Sequence, residues 1–222
     1  MKKVLMITED GSHTLYMPEM DEHYHSVHGA INESLHIFIE NGLLFSGKKE
    51  LTILEIGFGT GLNAYLTYCF GHKENKNIRY YTLEKYPLQK EEFSLLNYPE
   101  NIFPEHSPVF NRLHKAEWNK AVDISENFIL KKIKADLLSF QFDEIPKVDL
   151  VYYDAFAPGK QPEMWTDQML QKVADTVQTG GILVTYCAKG TVRRALSHAG
   201  FIMERIPGPK GKKEILRGKK RI

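Results

Sequence analysis

The sequence contains little cysteine and no long apolar run. Cys69 and Cys187 are its two cysteines, and they lie too far apart in sequence for a zinc-binding or redox motif. The N-terminal segment MKKVLMITEDGSH has an apolar run too short for a signal peptide, and no later run is long enough to span a membrane. These absences predict a cytoplasmic protein with two buried thiols.

The charge is nearly balanced overall but unevenly distributed. The net charge is +1, whereas residues 204–222 carry eight Lys or Arg and two Glu, a net of +6, which leaves −5 for residues 1–203. A basic C-terminal segment of this kind is either a solvated tail or a contact for nucleic acid. Composition alone does not separate these alternatives.

The apolar pattern predicts a small N-terminal unit followed by a regular α/β domain. Two apolar runs flank Asp10-Gly11, which is a hairpin signal, and helical spacing follows over residues 29–44 with Gly42 as the expected stop. From residue 48 onward strands alternate with helices, which predicts a mostly parallel, Rossmann-like sheet with helices on both faces. We therefore expect a hairpin and helix, residues 1–47, packed on an α/β domain, residues 48–222.

The predicted elements of the larger domain follow from apolar runs and their Gly and Pro boundaries. The predicted strands are 51–57, 78–84, 121–125, 128–136, 148–154, 182–188, 201–206 and 213–218. The predicted helices are 60–70, 88–96, 162–177 and 191–200. Gly180-Gly181 is expected to form the turn between the third of these helices and the next strand.

A glycine-rich turn follows the first strand of this domain. The segment LEIGFGTGLN places Gly57, Phe58, Gly59 and Gly61 where backbone can approach a ligand at a helix N-terminus. The G-x-G-x-G spacing differs from the dinucleotide pattern G-x-G-x-x-G, and Glu55 would repel a pyrophosphate. A carboxylate at Glu55 suits the ammonium group of S-adenosylmethionine, or supports the turn itself. The motif therefore favours S-adenosylmethionine as the cofactor.

Two further acids follow predicted strands. Glu84 ends the second strand, where its carboxylate can accept hydrogen bonds from both hydroxyls of a ribose. Asp136, with the Leu137 backbone beside it, is expected near an adenine amino group. The alternatives are a solvent-facing acid for Glu84 and a helix cap for Asp136. Nicotinamide cofactors also carry a ribose, so Glu84 does not identify the cofactor.

The segment VDLVYYDAFAPGKQPEMW ends a core strand with Asp154 and continues into a loop rich in proline and aromatic residues. We expect Asp154 near the transferred methyl group, and Phe156 and Pro158 beneath a planar acceptor. The loop resembles the acid-or-amide, proline, aromatic loop of amino-directed methyltransferases, although its order, Asp-Ala-Phe-Ala-Pro, differs. The alternative is an Asp154 that caps its loop. Trp165 is expected to pack beneath a helix.

The chain as a whole resembles one family. The segments YHSVHGAINES, EIGFGTGLN, YYDAFAPGKQPEMWT, GGILVTYCAKGTVRRAL and AGFIMERIPGPKGKKEILRG are similar to those of the bacterial tRNA 5-aminomethyl-2-thiouridine methyltransferases. The resemblance implies a class I S-adenosylmethionine-dependent fold and N-methylation of the aminomethyl group on a wobble uridine. Many members are fused to a flavin-dependent oxidase. This sequence has no second glycine fingerprint, so we expect that oxidase to be absent and a separate enzyme to supply the amine.

Under this resemblance Asp154 orients the amine and accepts its proton, while Phe156 stacks on the base. Phosphate contacts are expected from basic side chains, with Arg194 as the alternative to Arg193: Lys160, Arg193, Lys210, Lys212 and Lys213. The histidine-rich segment 23–28 fits no common zinc template, so we expect no metal. It is expected instead to close over the cofactor through Tyr24 or Ser26, with Glu33 joining the contact or capping its helix.

Two rival functions remain open from sequence. A nicotinamide-dependent oxidoreductase shares the fold and the strand-end acid, although the glycine spacing and Glu55 argue against it. A non-catalytic tRNA-binding protein would need the basic segment but not the acids of the cofactor site.

Overall fold

The structure is a computed structural model that describes residues 2–221. Met1 and Ile222, the outer ends of the two predicted units, lie outside this range. Within it the chain forms a three-stranded sheet near the N-terminus and an eight-stranded sheet. Leu15 and Ile37 share a hydrophobic cluster with Ile53 of the large sheet. The N-terminal segment is therefore packed on the core, and its separation as a domain stays a prediction.

The N-terminal sheet begins with the predicted hairpin. Strands β1, Val4–Ile7, and β2, His13–Met17, pair antiparallel, and a short third strand β3, Glu22–His23, pairs with β2. In the turn, an Asp10 carboxylate oxygen accepts a hydrogen bond from the Ser12 N–H at 3.0 Å. The hairpin prediction is confirmed, and β3 is an addition that its two-residue length hid from the sequence pattern.

The helix after this sheet is longer than predicted. Helix α1, Ala30–Ser34, continues as a π-helix over Leu35–Leu44, so Gly42 lies inside the helix and is not its stop. A Cβ atom on Gly42 would lie 3.1 Å from a ring carbon of Tyr152 and 3.3 Å from Val184. The glycine therefore permits close packing on the sheet. The predicted helix end at Gly42 was wrong, because this glycine contacts strands that lie far along the sequence.

The large sheet is the predicted, mostly parallel one. Its strands in chain order are β4, Glu50–Ile56; β5, Asn77–Glu84; β6, Ala121–Ser125; β7, Phe128–Lys134; β8, Val148–Tyr153; β9, Val177–Thr185; β10, Phe201–Pro207; and β11, Glu214–Lys220. Their spatial order is β10-β11-β9-β8-β4-β5-β7-β6. The central strands β7, β5, β4, β8 and β9 are parallel, whereas β6 and β11 pair antiparallel with the strands they flank. The predicted α/β class is confirmed.

Helices cover both faces of this sheet. The remaining α-helices are α2, Leu62–Lys73; α3, Lys90–Phe93; α4, Tyr98–Asn101; α5, Ser107–Lys115; α6, Asp167–Thr176; and α7, Gly190–His198. Three 3₁₀ turns lie at Pro104–His106, Phe142–Glu144 and Pro162–Trp165. Along β4, Ile53 packs in one hydrophobic cluster, whereas Leu54 and Ile56 pack in the other. This alternation follows from the two-residue period of a strand.

Several predicted boundaries differ from the structure. The predicted helix 88–96 is reduced to α3, and α5 was not predicted. Strand β9 continues through Gly180-Gly181, which was expected to form a turn, and its register with β8 shifts between Val148 and Leu150. Helix α6 begins after Thr166, whose hydroxyl accepts a hydrogen bond from the Met169 N–H at 3.2 Å. Among residues 2–221, no helix has the length and apolar character needed to cross a bilayer.

Candidate active site

A cavity with a volume of about 1060 Å³ lies at the carboxyl ends of the central parallel strands. The Gly57 N–H donates to the Leu83 carbonyl at 3.0 Å, and the Asp154 N–H donates to the Ile56 carbonyl at 3.1 Å. These bonds align the ends of β5, β4 and β8 at one edge. Ligand pockets usually occupy about 300–1,000 Å³, so this cavity can accept a nucleoside cofactor together with part of a second ligand.

One half of the cavity is built around Glu84. Its two carboxylate oxygens accept hydrogen bonds from the Gly59 N–H at 3.0 Å and from the Tyr86 N–H at 2.7 Å. Gly57, Gly59 and Glu84 all line the cavity wall. The structure therefore brings the predicted ribose-binding acid against the predicted glycine loop.

Asp136 and Leu137 line the same half of the cavity. The Asp136 carboxylate receives the Lys85 ammonium at 2.8 Å and the Leu138 N–H at 3.1 Å. The Lys85 hydrogen bond lowers the pKa of Asp136 below its usual value. Asp136 is thus an ionised acceptor at the position predicted for adenine binding, and that role stays a prediction.

Two members of the glycine motif pack against the core, and their predicted contact with the cofactor stays a prediction. Gly61 lies outside the cavity wall, with φ of 74° at the start of α2, and a Cβ atom there would lie 2.8 Å from His114 Nε2. The Phe58 ring is buried, packed edge-on against His114 and Trp118, although the residue still lines the cavity. Gly61 and the Phe58 ring therefore support the glycine loop by packing on its side away from the cavity.

Glu55 is also placed differently from the prediction. Its side chain is fully buried and lies outside the cavity wall, with Thr82, Asn63 and Tyr80 around it. Burial raises its pKa well above the usual value, which favours the neutral form of the side chain. Its position does not support the expected contact with an ammonium group, because strand alternation points residue 55 into the core on the side of the sheet where Ile53 packs.

The other half of the cavity contains Asp154. The Asn63 amide donates to Asp154 Oδ2 at 2.8 Å, which is the only hydrogen bond to this carboxylate among residues 2–221. Burial raises the pKa of Asp154 to about 7, the nearby Glu33 carboxylate adds to the increase, and Asn63 and Lys212 oppose it. A carboxyl group with this pKa can accept or release a proton near neutral pH. The loop-capping alternative lacks a supporting contact in the part of the chain described.

Aromatic side chains form the walls around Asp154. The rings of Phe156 and Tyr24 meet edge to face at 5.2 Å, and both residues line the cavity. Trp165 is buried as predicted, and its indole N–H donates to the Phe156 carbonyl at 2.7 Å. Pro158 lies outside the cavity wall, so its predicted place beneath the acceptor is not supported by its position.

The histidine-rich segment closes one side of the cavity. His25 Nε2 lies 2.7 Å from the Thr60 hydroxyl of the glycine loop, and burial lowers the pKa of His25 to about 4. This histidine is therefore neutral at pH 7. Across residues 2–221, His, Cys, Asp and Glu side chains form no group of three or more that could hold a metal ion.

The predicted basic contacts divide into two sets. Lys160 and Lys212 line the cavity, and their ammonium groups lie 3.5 Å from Asp21 and 3.3 Å from Glu33, respectively. The others lie outside the cavity wall: Lys210 and Lys213 are exposed, Arg193 is partly buried on α7, and Arg194 is exposed beside it.

Two residues of the site were missed from sequence. Asn63 is the second residue of α2 and carries the amide that binds Asp154. Tyr186 follows β9, the neighbour of β8, and its hydroxyl donates to the Ala155 carbonyl at 2.7 Å. A polar residue directly after a glycine turn and a tyrosine directly after a parallel strand were the available signals.

Comparison with known proteins identifies the family. The profile of a family described as "S-adenosyl-L-methionine-dependent methyltransferase" matches residues 91–221. The chain belongs to this family. Its function as a methyltransferase and its use of S-adenosylmethionine follow from this membership.

Individual relatives agree with the family match. The chain is 31% identical over 228 residues to the "tRNA 5-methylaminomethyl-2-thiouridine biosynthesis bifunctional protein MnmC" of Legionella pneumophila (strain Corby), covering 90% of this chain and 34% of that protein. It is 30% identical to the protein of the same name from Cupriavidus metallidurans, covering 95% of this chain and 33% of that one. It thus spans about a third of these relatives' length.

A solved structure matches almost the whole methyltransferase chain. The crystal structure of MNMC2 from Aquifex aeolicus is 27% identical and superposes with a TM-score of 0.80, covering 98% of this chain and 70% of that one. The similarity includes the N-terminal sheet as well as the large sheet, because it extends over nearly all residues.

The residues of the cavity fit S-adenosylmethionine. The carboxylate of Glu84 has the acceptor chemistry that ribose hydroxyls require, and the ionised Asp136 is an acceptor for an exocyclic amine. The backbone of Gly57 and Gly59 reaches the cavity without side chains. We assign these residues to cofactor binding as a proposal, with Tyr24 and Leu137 as further wall residues.

We predict that Glu84→Ala weakens S-adenosylmethionine binding by about 1.5–3 kcal/mol, the range for hydrogen bonds to a charged group. The substitution also removes the acceptor of the Gly59 N–H, so the glycine loop keeps only its backbone hydrogen bonds to β5. Calorimetric titration measures the effect, with Glu91→Ala on the exposed side of α3 as the control. Equal affinity of the Glu84 variant and the native protein would remove Glu84 from the site.

We predict that Asp154→Asn stabilises the fold at alkaline pH. The pKa of Asp154 rises from 3.8 to about 7 on folding, so the free energy of unfolding falls as pH rises through this interval. The amide removes this penalty and should raise stability at pH 8 by about 1–3 kcal/mol, less than the full pKa difference gives because the side chain is partly exposed. Denaturant unfolding at pH 4 and pH 8 measures it. Lower stability of the variant at pH 8 would instead support loop capping.

Proposed function

We propose that this protein methylates the 5-aminomethyl group of wobble (2-thio)uridine in tRNA to give 5-methylaminomethyl-2-thiouridine. The observation that carries the proposal is Asp154, a partly buried carboxyl group with a pKa near neutrality inside an aromatic cavity. An amine is the acceptor that most needs such a group, because it must lose a proton during methylation. The relatives whose names include 5-methylaminomethyl-2-thiouridine biosynthesis support this choice of acceptor.

The proton transfer can be written for the residues of the chain. S-adenosylmethionine supplies an electrophilic methyl group when it is bound. Free α-amino groups have a pKa of about 8, and a substrate amine of similar basicity arrives mostly protonated at neutral pH. Asp154, ionised above its pKa of about 7, accepts the proton and hydrogen-bonds the free amine, while Asn63 fixes the carboxylate. Most of the acceleration then comes from orientation.

The aromatic walls suit a base that leaves the anticodon loop. A wobble base is unpaired in the free tRNA, so extruding it costs little. In our proposal the base stacks on Phe156, whose carbonyl is held by Trp165. Lys160 at the cavity rim, with Lys210 and Lys213 outside it, would contact phosphates. A cytoplasmic location and a separate enzyme that supplies the aminomethyl group belong to the same proposal.

A nicotinamide-dependent oxidoreductase and a non-catalytic tRNA-binding protein are not supported, since the family match is to methyltransferases. The decisive experiment is nucleoside analysis of tRNA carrying 5-aminomethyl-2-thiouridine after incubation with the protein and labelled S-adenosylmethionine. We expect labelled 5-methylaminomethyl-2-thiouridine. Label in another nucleoside, or in none, would contradict the proposal.

In this assay Asp154→Asn should lower the single-turnover rate by about 10²–10³ at neutral pH, within the range of a positioned acid–base group. The rate of the native protein should rise with pH through about 7, where Asp154 loses its proton. The difference should shrink at alkaline pH, because more amine is already deprotonated. A variant that binds both ligands and reacts like the native protein at pH 7 would remove Asp154 from the reaction.

Charge reversal of the exposed lysines tests the interaction with tRNA. Lys210→Glu combined with Lys213→Glu should weaken tRNA binding and reduce its salt dependence by a slope of about 0.7–0.9 for each phosphate that is no longer neutralised. S-adenosylmethionine affinity should remain unchanged. The control is Lys115→Glu with Lys120→Glu, which makes the same charge change near β6, at the opposite edge of the large sheet. A salt slope equal to that of the native protein would show that these exposed lysines are solvated and do not contact phosphates.

A further inference from the structure

Glu33 is a second carboxylate in the half of the cavity that contains Asp154, called the acceptor half below; the half around Glu84 is called the cofactor half. It lies in the first turn of α1, and its side chain is 11% exposed. One carboxylate oxygen accepts the Ser26 N–H at 2.9 Å, and the other lies 3.3 Å from the Lys212 ammonium. Glu33 and Lys212 both line the cavity wall. The side chain is therefore held in place by one backbone donor and one cation.

Lys212 is fixed by more than this ion pair. Its ammonium group lies 4.8 Å from the centre of the Tyr186 ring, within the range of a cation–π contact. Tyr186 in turn donates its hydroxyl hydrogen to the Ala155 carbonyl, next to Asp154. The lysine that the sequence assigned to phosphate binding thus connects Glu33 to the wall beside Asp154.

When Asp154 is ionised, the two carboxylates Glu33 and Asp154 outnumber the Lys212 cation in a partly buried space. Asp154 and Glu33 face one cavity with Lys212 as the cation beside them, and the Glu33 charge is close enough to disfavour ionisation of Asp154. Two carboxylates that share a site repel each other, and a cation between them relieves the repulsion. The walls made by Tyr24, Phe156 and Tyr186 suit a planar ring that carries this cation.

We propose that Glu33 is a substrate-binding residue that receives the amine of the methyl acceptor together with Asp154, and that Lys212 is the positioning residue that holds Glu33. The ligand class is a primary amine attached to a planar base. Glu33 selects the amine over a neutral group of the same size, whereas Asp154 accepts its proton. This inference rests on the proposed function for the nature of the base but not for the recognition of the amine.

The test compares two nucleosides that differ in one group, 5-aminomethyluridine and 5-hydroxymethyluridine. Their binding to the protein saturated with S-adenosylhomocysteine is measured by calorimetry. The native protein should bind the amine more tightly, and Glu33→Gln should reduce this preference about ten-fold or more, the loss of one hydrogen bond between charged groups. Affinity for the hydroxyl compound should change little, because Gln keeps the acceptor for the Ser26 N–H.

Further variants separate binding from folding. Glu33→Asp retains the charge and should retain part of the preference, and Lys212→Met should reduce the preference while keeping an apolar contact with Tyr186. The matched controls are Glu40→Gln, at an exposed position of the same helical segment, and Lys219→Met, at an exposed position of β11. S-adenosylmethionine affinity of every variant reports whether the cofactor half is intact.

The outcomes distinguish this inference from the proposed function. An unchanged amine preference in Glu33→Gln, or no preference in the native protein, overturns the assignment of Glu33. If the native protein methylates the wobble nucleoside in tRNA while Glu33→Gln keeps the preference, the function stands and Glu33 is excluded. If tRNA is not methylated but the amine preference depends on Glu33, the acceptor is a different amine and the assignment of Glu33 stands.

Discussion

The pocket depends on the parallel register of three central strands. The hydrogen bonds from Gly57 to Leu83 and from Asp154 to Ile56 bring the ends of β5, β4 and β8 to one edge. A slip of one residue in either pairing would turn Glu84 or Asp154 to the opposite face of the sheet. The glycine loop adds a side-chain connection across the same edge, because the Gly59 N–H binds Glu84. The half of the cavity around Glu84 is therefore tied to the strand ends by both backbone and side-chain hydrogen bonds.

Much of this edge could be predicted from sequence because it depends on local patterns. Apolar runs mark the strands, and Glu84 and Asp154 stand where those runs end, so their position at the cavity follows from the fold class. The same reasoning failed for Glu55, which lies one residue before the end of β4, because alternation points its side chain into the core on the side of Ile53. An acidic side chain close to the glycines in sequence was not sufficient to predict a place in the cavity. The two-residue period of the strand determines which side of the sheet Glu55 faces.

The acceptor half was harder to predict because it joins segments that are distant in sequence. Glu33 and Lys212 meet across 3.3 Å although 179 positions separate them, and neither has a local pattern that indicates the other. A lysine in a basic segment was naturally assigned to phosphate. Gly42 gives the same lesson, since its neighbour Tyr152 belongs to a strand far along the chain. Tertiary contacts of this kind follow only from the three-dimensional structure.

The meeting of Glu33 with Lys212 has a consequence for the order in which the protein matures on the ribosome. The glycine loop, Glu84 and Asp136 leave the exit tunnel first, whereas Tyr186 and Lys212 follow among the later residues. Glu33 is therefore synthesised well before the lysine that pairs with it. If Glu33 receives the acceptor as we propose, that contact is complete only after β10 and β11 have been synthesised and paired, because Lys212 lies between them.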